Sequence, residues 1–134
     1  MKQLFSVMAL LLLFSCRQSD EVMCTQEYRM LTVSVKDSVS NPVILGSYYL
    51  KKVSTGEIID LANQDPFADS INRIQGQYFI CNDGMMGMVS KSGTVFEFHG
   101  IKGDKEIVNE PYIIGKDDCH ISLLDGKAVI VVNY

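Results

Sequence analysis

Hydrophobic positions change their period along this chain of 134 residues. Residues 4–14 form an apolar run broken only by Ser6. The run is shorter than the ~20 residues a membrane-crossing helix needs, and it suits the core of a secretory leader. From Tyr28 the period becomes two. Leu31, Val33 and Val35 lie on one side, with Met30, Thr32, Ser34 and Lys36 on the other, which predicts a half-buried strand. Further strand pieces are predicted over 43–45, 47–53, 57–61, 77–81, 94–98, 106–109, 112–114, 119–124 and 127–132. Turn chemistry separates them at Asn41-Pro42, Thr55-Gly56, Asn82-Asp83-Gly84, Gly103-Asp104 and Asp125-Gly126. Asp125-Gly126 suits a type I′ hairpin. The last run, Ala128 to Val132, is apolar on both sides and predicts a central strand.

One segment carries the helical period. Phe67, Ile71 and Ile74 recur at i, i+4 and i+7 and predict an apolar face packed on a sheet. Asp65 can cap the helix, Pro66 suits its first position, and Gly76 can close it in the left-handed conformation. The fold class that follows is mainly β: a single β-sandwich with one short helix at about 65–75.

Composition narrows the function. Lys2 is the only charged residue in 1–15, so the remainder carries 11 basic against 16 acidic residues. That balance of −5 argues against nucleic-acid binding, which needs a basic footprint. Leu13-Phe14-Ser15-Cys16 resembles the bacterial lipobox, with Phe14 bulkier than the usual occupant. The resemblance implies cleavage after Ser15 and lipidation of Cys16, several chains being needed because one is a marginal anchor. The chain then divides into a leader over 1–15, a lipidated Cys16 with a polar tether over 16–27, and a β-sandwich domain over 28–134. Ser19-Asp20-Glu21 resembles the surface-export signal of Bacteroidota lipoproteins; charge runs of this kind also serve as solvated linkers. The implied location is the outer membrane, on its periplasmic side or the cell surface.

Cys24, Cys81 and Cys119 complete the cysteine set. Their spacing fits no CxxC motif, and an exported compartment permits one bridge. Cys24 with Cys119 is the expected pair, tying the start of the domain to its last strands. Cys81 in the run Tyr78 to Cys81 reads as a small buried hydrophobe.

Several short motifs over 28–132 resemble the carboxypeptidase regulatory-like, transthyretin-like sandwich: Tyr28 to Val33 running into Asp37, Asn41-Pro42-Val43, Ser54-Thr55-Gly56-Glu57, and Gly76-Gln77-Tyr78-Phe79-Ile80. Asp118-Cys119-His120-Ile121 followed by Gly126 resembles small Bacteroidota lipoproteins of that fold, and the insert 63–75 departs from the pattern. The resemblance implies a non-catalytic module with no catalytic residues to transfer.

Candidate chemistry is sparse. Met85, Met86 and Met88 could offer soft thioether ligands to copper with His99 or His120, but one short cluster fits better as an adaptable apolar plug. His120 beside Cys119 falls short of the four convergent ligands of a zinc site. No phosphate loop, GxSxG elbow or HExxH is present. The function expected is a non-enzymatic, lipid-anchored binding or assembly module of the cell envelope. It needs no cofactor, works as a monomer, and can recruit a protein partner at a sheet edge. The alternative is a copper-binding envelope lipoprotein.

Overall fold

The computed structural model describes residues 22–62 and 66–134. The expected leader, the expected lipidation site Cys16 and the expected cap Asp65 lie outside these residues. Among these described residues, eight strands build two sheets. A three-stranded sheet holds β4 (Gln77–Asn82), β1 (Met30–Asp37) and β8 (Val129–Val132), in that order. A five-stranded sheet holds β3 (Ile58–Asp60), β2 (Ser47–Lys52), β5 (Thr94–Lys102), β6 (Lys105–Lys116) and β7 (Ile121–Asp125). Among the described residues, one α-helix, α1 (Pro66–Ile74), and a 3₁₀ segment, Asp83–Met88, flank β4. The sheets form a β-sandwich with one short α-helix.

The period-two reading of β1 holds: Val33 and Val35 are fully buried while Met30 is exposed. Phe96, Phe98, Tyr112 and Ile114 fill the core from the larger sheet. Tyr48 on β2 meets Tyr78 on β4 edge-on, with ring centroids 4.9 Å apart, so aromatic rings join the two layers. The β5–β6 hairpin turns at Gly103, where φ is +60°. Gly76, at φ +65°, closes α1; a Cβ there would stand 2.6 Å from the Val35 carbonyl oxygen.

Five expectations are corrected. Residues 43–45 form no ladder, although Val43 and Leu45 are buried. The Tyr78 hydroxyl serves them instead, donating to the Val43 carbonyl at 2.7 Å and accepting from the Leu45 N–H at 2.7 Å. The pieces predicted over 106–109 and 112–114 are one strand, β6, which continues through Pro111. Pro111 pairs with Glu97 on β5, and β7 reaches only Ile113 to Lys116, so the missing N–H breaks no second ladder. Asp125-Gly126 is a crossing between sheets and not a hairpin, since β7 and β8 belong to different sheets. Gly126 is needed there because a Cβ would lie 2.3 Å from the Tyr112 ring. The strand β8 is an edge strand and not a central one, paired in parallel with β1.

The fifth correction concerns α1. Its predicted apolar face points outward: Phe67, Ile71 and Ile74 are 76 %, 46 % and 68 % exposed. No residue of the helix is buried.

Candidate functional site

The N-terminal segment is fastened to the domain by a clasp. Cys24 and Cys119 form the expected disulfide, with Cα atoms 5.3 Å apart. Beside it, Thr25 Oγ1 lies 3.0 Å from His120 Nε2, and His120 Nδ1 lies 2.8 Å from Asp83 Oδ2. Asp83 also accepts from the Arg29 and Ile121 backbone N–H groups at 2.8 and 2.9 Å. Desolvation pushes the Asp83 pKa up. The backbone donors and the His120 ring outweigh it and hold the carboxyl at about 2. The Asp117 carboxylate orients the loop by accepting from the Cys119 and His120 N–H groups, both at 2.7 Å. A hydroxyl–imidazole–carboxylate row has the connectivity of a nucleophile relay. Here its partners are the chain's own N-terminal segment and the backbone at the start of β7, and it holds them together. The sequence carried no local sign of this row, because Asp83 and His120 are 37 residues apart.

The remaining candidate ligands are placed separately. Met85 is buried in the core, and Met86 and Met88 pack against it from the 3₁₀ segment. His99 stacks on Tyr49 at 4.7 Å, and its Nδ1 lies 2.9 Å from Glu106 Oε2. His99 Nε2 is buried without a hydrogen-bond partner and lies 3.4 Å from Glu97 Oε2. The Lys51 ammonium, 3.2 Å from that carboxylate, holds Glu97 below the usual carboxylate range against the opposing effect of desolvation. His99 and Glu97 supply two donors where a structural zinc site takes four. Among the described residues, no group of three or more His, Cys, Asp or Glu side chains is set to hold a metal ion. Cys81 is buried, and burial pushes its thiol up to about 11.

The helix turns its polar face inward. Arg73 Nε lies 2.6 Å from Asp69 Oδ2, and its guanidinium donates to the Leu45 and Gly46 carbonyls at 3.2 and 2.8 Å. The guanidinium also sits 5.2 Å from the Tyr48 ring centroid. The Tyr48 hydroxyl donates to Asp69; burial, then that carboxylate, raises its pKa above the ordinary phenol value. Loop carbonyls that no strand pairs therefore recruit Arg73, and docking that side of α1 leaves Phe67, Ile71 and Ile74 outside. Beneath lies a cavity of about 370 Å³, lined by Tyr28, Met30, Tyr48, Asn72, Phe79 and Asn82 among others. Aromatic faces and amide side chains there suit a small polar ligand with an apolar face.

No family model, curated protein or solved structure matches this chain. The motifs noted in the sequence occupy definite places in the sandwich. Pro42, just beyond β1, bridges to Lys36, residues 54–57 turn from β2 into β3, and Tyr78 is fully buried near the start of β4.

The last candidate surface is β8. Among the described residues it pairs with β1 and with no second strand. Ile130 and Val132 enter the core, whereas Val129 and Val131 are 47 % and 62 % exposed. A strand apolar on both faces with one free side is a template for an added strand.

Proposed function

We propose that this chain is a non-enzymatic, lipid-anchored binding or assembly module of the cell envelope. It is held at the outer membrane through Cys16 and takes an extended segment of a protein partner on β8. The observation that carries the reading is the free edge of β8, with its outward valines. Backbone groups along such an edge supply affinity, and Val129 and Val131 offer apolar contacts to alternate side chains of the added strand. The leader pattern and the Cys24–Cys119 bridge support export to an oxidising compartment. The short motifs support a transthyretin-like sandwich as the scaffold, on which the edge is the working part.

The test is capture from native membranes with the full chain and with a Val129→Lys, Val131→Lys variant. Lysine on an exposed edge position opposes strand addition and leaves the core untouched. A stoichiometric partner retained by the parent chain and lost by the variant is the expected result. A partner held equally by both, or no partner while the pure chain turns over a substrate, refutes the reading.

A further inference from the structure

We propose that the outward face of α1 is a membrane-docking surface, seated in the lipid headgroup region of the bilayer that carries the anchor. The inference rests on the lipid-anchor reading of Cys16. Phe67, Ile71 and Ile74 stand on one side of α1, more exposed than buried or nearly so, while Asp69 and Arg73 are engaged on the other. The helix is amphipathic and reversed relative to a core-packing helix. An apolar stripe on a surface helix suits the boundary between headgroups and acyl chains.

Three features select lipid as the occupant. Cys24 is pinned to Cys119 and stands only eight positions after Cys16, so the clasp stays within about 29 Å of the anchor. Tyr28 and Met30, just beyond the clasp, line the same cavity as Ala68 and Asn72 of α1, so the helix lies on the side where the chain leaves the anchor. Three side chains also offer roughly a few hundred Å² of apolar surface, against ~800 Å² per partner in a stable protein interface. The one basic residue of α1, Arg73, is turned inward. Docking is therefore driven by apolar burial, and neither anionic lipid nor low salt is required.

The chain contains no tryptophan, so Phe67→Trp installs a single reporter at a position 76 % exposed. The full chain carrying it is produced in a bacterial envelope and reconstituted into phosphatidylcholine vesicles, with and without lipid brominated near the top of the acyl chain. Vesicle flotation reports the anchor, and bromolipid quenching reports the helix. The expected result is flotation with emission reduced at least about twofold by bromolipid, for a ring sunk about 5–10 Å into the interface. The quenching should be unchanged in molar salt and relieved by Ile71→Ser with Ile74→Ser while flotation persists. Flotation without quenching overturns the docking surface alone and assigns the face to a second copy or to another segment of the chain. Failure to float overturns the anchor reading and the docking with it.

Discussion

Replacing Tyr78 with phenylalanine should unfold the domain far more readily than its single lost oxygen suggests. The Tyr78 ring is fully buried, and its hydroxyl is the bridge between β4 and residues 43–45. It donates to the Val43 carbonyl and accepts from the Leu45 N–H, and both residues are buried. Tyr78→Phe keeps the ring and strands both backbone groups away from water. At about 1–2 kcal/mol for each orphaned group, the loss is about 2–4 kcal/mol. Tyr112→Phe is the internal control. The Tyr112 hydroxyl makes one bond, to the Lys127 carbonyl at 2.7 Å in a partly buried setting, and its loss should cost about 1 kcal/mol. The assay is urea unfolding of the oxidised protein followed by circular dichroism. With a slope of about 1–3 kcal/mol per molar, the Tyr78→Phe midpoint should fall by about 1–2 M at unchanged slope. A Tyr78→Phe loss no larger than that of Tyr112→Phe would refute the reasoning, because residues 43–45 would then have another source of hydrogen bonds.

Cys24→Ser with Cys119→Ser opens a bridge spanning 95 residues and should cost about 2–4 kcal/mol, read as a lower urea midpoint. In the oxidised native protein a thiol reagent should label no cysteine of the domain, and in urea it should label Cys81, which burial shields and holds in the thiol form. Asp83 has its pKa depressed from 3.8 to about 2 in the folded protein, so its stabilising effect is complete above pH ~4 and is lost as pH falls toward ~2. Asp83→Asn should flatten that acid limb of a stability–pH profile; an unchanged limb would assign acid sensitivity elsewhere. Gly126→Ala drives a Cβ into the Tyr112 ring at a φ of +141° and should cost about 1–3 kcal/mol, checked by thermal unfolding.

Much of the scaffold was legible because its signals are local. Alternation in β1, the Gly103-Asp104 hairpin, Pro66 at the start of α1 and Gly76 at its end depend on a few adjacent residues. The Cys24–Cys119 pair was legible because three thiols besides Cys16 leave few choices of bridge. The candidate surfaces were less so. The clasp joins Thr25, Asp83 and His120 from three distant segments, and each alone reads as an ordinary polar residue.

By itself, the sequence determined which residues are apolar, where the chain turns, and that strands with one helix must enclose a core. Only the tertiary structure decided which apolar faces stay uncovered. The valines of β8 read as central until the sheet order placed them at an edge. The stripe of α1 read as core-facing until Arg73 was drawn to the unpaired Leu45 and Gly46 carbonyls. Burial of an apolar side chain is gained in any direction that excludes water, whereas hydrogen bonds from Arg73 to Asp69 and to the Leu45 carbonyl are directional and form in one orientation of the helix. The more exacting requirement set the helix's orientation and left Phe67, Ile71 and Ile74 facing out.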